Sequence, residues 1–429
     1  MTTRRSSNRG RSSRLARVLG ISLLSGVAGC DNLLDVSNPG SVEATDLENP
    51  ALFSTIVNSA LGRFECAYVN HIISAAMLSR ELINSSNWAA IGPFARRDEG
   101  LETSTGTCPD DRNSNAMGSY TPLQQARYLA EDGARLIEGF PDEAVPNKTN
   151  LLAQLSAYAG FATQILGEGW CVLAFDLGPV QTREQVFQRA EERFTSAIAL
   201  AQSAGNTNLR LMALLGRARA RLNQGNLAGA AEDAEQIPEG FVWNANYTTV
   251  TGMRENRIYN FHNLLKFVTV NFFEYRDLEI DGVPDHRVPV SNTGGLGQSG
   301  GVPMWAQEKY ASAAAPIPIA SWEEAQLIIA EARPAEAAAA INRLRSAQGL
   351  PPYTPSGNGH LADVLEERRR QLFMEGGHRY NDMLRHEIPF PTGLDHQDRQ
   401  YGDFTCLPLP EAEWQNNPNI EGNPNPVRS

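Results

Sequence analysis

His378, Asp382 and His386 stand at i, i+4 and i+8, a spacing that on one continuous helix would bring two imidazoles and a carboxylate to a single face able to hold a metal ion. His386 falls at the end of that helix, close to Pro389, and arginines crowd the same run, so no metal is assigned. The run Glu366-Glu367-Arg368-Arg369-Arg370 offers two carboxylates, but charge pairing at i+3 and i+4 on a helix surface accounts for it. Glu331 lies among apolar residues and reads as a buried, hydrogen-bonded structural acid. Gly295 to Gly300 spells GxGxxG, yet Pro303 stands where a helix must follow, so the segment reads as a mobile loop and not as a dinucleotide site. Asp277 to Gly282 opens like a calcium loop whose twelfth position would be Val288, which cannot ligate. There is no serine elbow, HExxH zinc motif or P-loop. The residues point to binding without a cofactor.

The chemistry on offer is that of sugar recognition. Asn84 to Tyr120 is rich in Ser, Asn, Gly and Thr and reads as one long functional loop. It carries Trp88, Phe94, Arg96 and Tyr120, which form a first candidate patch. Trp305 and Tyr310, with Lys309, form a second. The apolar C–H face of a pyranose stacks on an aromatic ring while Asn, Arg and Asp bond its hydroxyls.

Helices must position these loops. From Asp46 to about Asn87 the pattern is helical, and Pro122 to Glu138 and Leu151 to Gly167 continue it. Val186 to Ala204, Asn208 to Gln224 and Leu227 to Ile237 are the most regular stretch. Small residues at Ala213, Gly216, Ala220, Gly225 and Ala230 are similar to one tetratricopeptide unit. Residues 238–320 lose that period and predict short strands and turns. Ser321 and Glu324 read as a capping box opening the next helix. A helix from about His360 to Gly376 turns Leu361, Val364, Leu365 and Leu372 inward, pairing Glu366 with Arg370 and Gln371 with Glu375. A last short helix carries Tyr380, Met383 and Leu384, and the Pro/Asn tail from Phe404 reads as a surface cap.

The amino terminus reads as a targeting segment. Six arginines precede a short apolar run from Val18 to Ala28, and Val27-Ala28-Gly29-Cys30 has the pattern of a lipobox with Cys30 as the lipidated residue. Residues 1–29 are then a signal peptide, 30–45 a tether and 46–429 one domain anchored by lipid alone. Without residues 1–29 the chain has 31 basic against 49 acidic side chains, a charge of −18 that disfavours nucleic acid as a partner. Cys66, Cys108, Cys171 and Cys406 leave three disulfide connectivities, of which we favour Cys66–Cys108 with Cys171–Cys406.

The segment Ser321 to Glu387 resembles the carboxyl-terminal part of the SusD/RagB family of nutrient-binding outer-membrane lipoproteins. The resemblance rests on the AEAR run Ala330–Arg333, Ala340 to Arg345, Gly349-Leu350-Pro351, Glu367-Arg368, Glu375-Gly376, Arg379 and Asp382 to Arg385. The Asp285-His286-Arg287 turn and the tail Leu407-Pro408-Leu409-Pro410-Glu411 are similar to the family as well, with His286 where the family has Pro and Gln371 where it has Glu. The resemblance implies a mostly α fold, with tetratricopeptide-type helix pairs (about 122–237), a loop-rich region (238–320) and few short strands. It also implies an outer-membrane location facing the cell exterior, a glycan or other nutrient as ligand, a SusC-like TonB-dependent transporter as partner, and no catalysis. A peptide ligand, a purely scaffolding helical repeat and a lipid-anchored hydrolase are the competing readings.

Overall fold

The computed structural model describes residues 49–98, 108 and 118–426, and from Pro50 onward the chain forms one compact unit. Its axis is α1 (Phe53–Leu78), buried without interruption from Phe64 to Ser79. Such a helix reads as apolar all round, and α1 carries only Glu65, Asn70, His71 and Ser74 as polar interruptions over its buried length. The expected continuation to Asn87 does not occur. Arg80 takes a left-handed conformation (φ 64°), and Leu82–Asn84 become β1. The short α2 (Gly92–Arg96) follows.

Five helices then pack as sequential neighbours: α3 (Tyr120–Glu138), α4 (Lys148–Gly169), α5 (Arg183–Ser203), α6 (Thr207–Asn223) and α7 (Leu227–Ala234), with the pair β2 (Val172–Leu173) and β3 (Gln181–Thr182) before α5. Local chemistry sets their ends. Thr182 and Gln185 form a reciprocal capping box at α5. Gly205-Asn206 and Gly225-Asn226 repeat one device, a left-handed glycine ending one helix and an Asn side chain capping the next. Small residues let the helices close: the buried Phe194 ring wedges between Gly160 and Gly216, and even one methyl group at Gly160 would lie 2.8 Å from it.

Residues 242–321 supply β4 (Val242–Ala245), α8 (Arg257–Tyr259), β5 (Val268–Val270), α9 (Phe272–Tyr275), β6 (Glu279–Ile280), β7 (Val283–Pro284), β8 (Val290–Leu296), β9 (Pro303–Gln307) and β10 (Ile317–Ser321). All pairings are antiparallel and two-stranded: β1 with β5, β4 with β10, β6 with β7, β8 with β9. The GxGxxG segment lies in the turn end of the β8–β9 hairpin, with no helix after it. Gly297 sits so close to Ser85 that no side chain fits, and the Ser299 and Gln298 amides donate to Ser85 and Lys266 carbonyls.

The carboxyl-terminal segment folds as α10 (Trp322–Ala332), α11 (Ala337–Ala347), α12 (His360–Gln371), α13 (His378–Arg385) and α14 (Glu411–Trp414). The Ser321 hydroxyl caps the Glu324 amide, but the Glu324 carboxylate reaches instead to Arg219 of α6 with two 2.6 Å bonds. This pair is almost wholly buried and fixes α10 on the helix-pair scaffold. Arg287 bridges Asp285 and Glu367, Arg345 joins Glu367, and Arg368 and Arg385 share Asp382. The motif residues of Ser321 to Glu387 are thus chiefly an ionic frame.

Three sequence expectations change here. Helix α12 stops at Gln371 because Met374, Gly376 and Gly377 take positive φ, so Glu375 pairs with Lys309 (2.6 Å) and not with Gln371. Leu361 faces solvent. The tail is more than a surface cap: Leu407 and Leu409 are fully buried, and Leu407 exchanges backbone hydrogen bonds with Gly169 and Cys171. Disulfides join Cys66 to Cys108 and Cys171 to Cys406, the pairing favoured above. Cys30 and residues 1–48 lie outside the described residues.

Candidate ligand-binding surface

Strands β1, β5 and the β8–β9 hairpin make one small layer beyond the end of α1. Ile83 opposes Thr269 across the β1–β5 pair, and the Trp305 amide on β9 donates to the Thr269 hydroxyl at 2.8 Å. Side chains of Ile83, Phe272, Val302 and Trp305 cluster on this layer, and Trp305 also packs against the main core. The Phe272 and Trp305 rings are 6.0 Å apart and 24° from parallel, and Phe273 lies 4.4 Å from Phe272. Phe273 is 60% exposed, the most exposed aromatic side chain among the described residues. The three rings form an aromatic tier whose outer member faces water.

Polar groups flank it. Arg80 and Glu274 form a partly exposed ion pair at 3.5 Å. The Asn271 side chain donates to the Arg80 carbonyl and to Glu274, which holds both in place beside the rings. Asn292, opposite Trp305 in the hairpin register, is exposed. An exposed ring with a guanidinium, a carboxylate and an amide near it in the fold can stack a sugar ring and bond its hydroxyls.

The sequence candidates divide. Trp305 belongs to the tier. Trp88 is half-buried against Phe261 and Phe267, at the other end of β5. Its neighbour Asn87 accepts no core position and donates its amide to Gln298 of the hairpin at 3.3 Å. Arg96 is partly exposed and occupied by Asp98 at 2.5 Å. Phe94, Tyr120 and Tyr310 present no face to a ligand: each is at most 2% exposed, the Tyr120 hydroxyl takes a bond from Gln124, and the Tyr310 hydroxyl donates to the Met374 carbonyl. They are core side chains, placed inside because large aromatic surface gains most from burial. Lys309 is held by Glu375 and the Phe373 carbonyl. Phe272 and Phe273 were not among the sequence candidates, because Phe267 to Phe273 read as short strands or a buried turn region.

The other chemical constellations are occupied. Asp382 is held by Arg368 and Arg385, and His386 meets Glu331 at 3.1 Å. Burial pushes the Glu331 carboxyl up, but hydrogen bonds from His386 and Arg385 outweigh it and hold it far below the usual carboxylate range. His71, packed in α1 near Trp170, is driven down to about 3 by burial and is neutral. Among the described residues no helix is long and apolar enough to cross a membrane.

No protein-family model and no curated protein matches the sequence. Solved structures do match. A SusD-like carbohydrate binding protein from Bacteroides vulgatus ATCC 8482 superposes with a TM-score of 0.64 at 14% identity, over 87% of this chain and 97% of that one. Surface glycan-binding protein A from Bacteroides uniformis gives 0.62 at 15% identity, over 86% and 99%. A SusD-like protein from Bacteroides fragilis NCTC 9343 gives 0.64 at 11% identity, over 89% and 98%. The chain has the SusD-like fold, mostly helical with a few short strands, as the resemblance in Ser321 to Glu387 implies.

Proposed function

We propose that this chain is a SusD/RagB family lipoprotein, lipidated at Cys30, that binds a glycan at the cell surface and passes it to a TonB-dependent outer-membrane transporter without chemistry of its own. The observation that carries the reading is the tier of Phe272, Phe273 and Trp305, set beside Arg80 and Glu274 on a fold shared with surface glycan-binding proteins. Phe273 receives the apolar face of a sugar ring, Phe272 and Trp305 back it, and the Arg80–Glu274 pair bonds hydroxyls. Trp88, at the far end of β5, serves a second sugar unit of a longer chain. The ion pairs that occupy Glu331, Glu366 and Asp382 support a non-catalytic role, because each of these three carboxylates is tied to arginine.

Two measurements test this. Binding of soluble polysaccharides, followed by retardation in affinity gels, should be lost on Trp305→Ala and Phe273→Ala together while incubation releases no reducing ends. Retention of binding by that double variant, or product release by the wild type, would overturn the reading. Detergent-solubilised membranes should yield the chain together with a large barrel protein, and a Cys30→Ser chain should leave the membrane fraction. A chain purified alone under mild detergent counts against delivery to a transporter.

A further inference from the structure

A separate cavity of about 360 Å³ opens between the loop-rich region and the carboxyl-terminal helices. Phe241 and Val242 of the β4 edge and Pro318 of β10 form its apolar wall, and His286, Lys309, Glu323, Gln348, Gln371 and Glu375 supply the polar one. Its size is within the range of small-molecule sites. None of its residues belongs to the aromatic tier.

The cations here are already committed. Arg287 is saturated by Asp285 and Glu367, and the Lys309 ammonium is held by Glu375 at 2.6 Å and by the Phe373 carbonyl at 3.0 Å. Two acceptors are not. Gln371 is 9% exposed, and its side-chain oxygen is buried with no hydrogen-bond partner among the described residues. Native interiors rarely leave such an atom without a partner from the chain, water or a ligand. Glu323 stands in the first turn of α10, where the helix end favours an acid, yet no basic side chain among the described residues pairs with it. Burial pushes the neighbouring Glu375 carboxyl upward, Lys309 opposes this, and Glu323 adds to it, as expected of negative charge in excess of its counter-ions.

An uncommitted carboxylate and a buried carbonyl-type acceptor, with every nearby cation spent, complement a ligand that carries positive charge and several N–H donors. We propose that this cavity is a second ligand site, for a small molecule bearing a primary ammonium group, with Glu323 as counter-ion and Gln371 accepting one ammonium hydrogen. His286 and Gln348, both exposed, stand at its rim. The same ammonium chemistry is presented by an amino sugar and by a lysine side chain, and the experiment separates them.

The test is calorimetric titration of the full-length chain with D-glucosamine and with Nα-acetyl-lysine amide, using D-glucose and N-acetyl-D-glucosamine as uncharged controls. At least one ammonium probe should bind tenfold or more tightly than the uncharged ones. Glu323→Gln and Gln371→Leu should each weaken it tenfold or more, with unchanged melting temperature for the first, while Phe273→Ala leaves it unaltered. The Phe273→Ala arm separates this site from the aromatic tier, so either site can fail alone. Equal or absent binding of all four probes overturns the proposal, as does ammonium binding that survives either cavity substitution.

Discussion

Replacing Phe273 by Ala isolates the contribution of one exposed ring. A Phe side chain offers about 200 Å² of surface. At 60% exposure roughly 120 Å² of it faces water. A sugar lying on one face covers about half of that, some 60 Å², and at about 25 cal/mol per Å² its removal costs about 1.5 kcal/mol, or close to tenfold in Kd. Because the ring supports no core, the melting temperature should stay within about a degree or two, corresponding to less than about 0.5 kcal/mol. Phe272→Ala is the contrasting variant. That ring is buried between Phe273 and Trp305, and its loss should cost about 3 kcal/mol of stability. Calorimetric titration with the polysaccharide that binds best, beside thermal melts of each variant, reads both quantities. A Phe273→Ala chain with wild-type Kd and wild-type melting temperature would refute the assignment of the tier as the binding surface.

The scaffold makes its own predictions. Glu324→Gln leaves the Arg219 guanidinium buried without its counter-ion and should destabilise the chain by about 3–5 kcal/mol, measured by urea denaturation, whereas joint replacement of Arg219 and Glu324 by Met should recover most of that loss. Gly216→Ala drives a methyl group into the Phe194 ring and should cost about 1–3 kcal/mol, which Phe194→Leu in the same chain should partly restore. Burial pushes the Glu81 carboxyl up to about 7, so the native state holds its proton more tightly than the unfolded chain. That contribution is complete below about pH 4.5 and is lost as pH rises to about 7, so the Glu81→Gln melting temperature should gain on wild type across this window, and a constant gap would contradict it. Reduction should lower the melting temperature, since the Cys171–Cys406 bridge closes 235 residues of chain and is worth up to roughly 5 kcal/mol in the chain-entropy view; Cys406→Ser should account for more of the loss than Cys108→Ser.

The frame of the molecule was open to reading because helices announce themselves locally. The apolar stripe at Leu211, Leu215 and Leu222 and the small residues Ala213, Gly216 and Ala220 are short-range signals, and they fall where α6 forms. The reading failed where a partner distant in the chain decides the outcome. Leu82 to Asn84 look like a continuing helix until Val268 to Val270 pair with them. Gln371 and Glu375 look like an i+4 pair until Lys309 claims Glu375.

The same physics explains why the binding surface was only half legible. An aromatic residue in a polar, irregular stretch has two possible fates, and composition does not distinguish them. Tyr120 and Tyr310 each found a partner for the hydroxyl inside, so burial became favourable and they left the surface. The Trp305 amide donates to the Thr269 hydroxyl, which holds its strand on β5, and its half-buried ring packs on Phe272. Phe273 is the clearest case. It has no polar atom to satisfy and every hydrophobic reason to be inside, yet Phe272, one residue before it, occupies the inward position. A large apolar ring held out of the core by its own neighbour, set against Phe272 and next in the chain to the Glu274 that pairs with Arg80, keeps apolar surface in water that a sugar face would cover, and this is the physical reason to seek a ligand there.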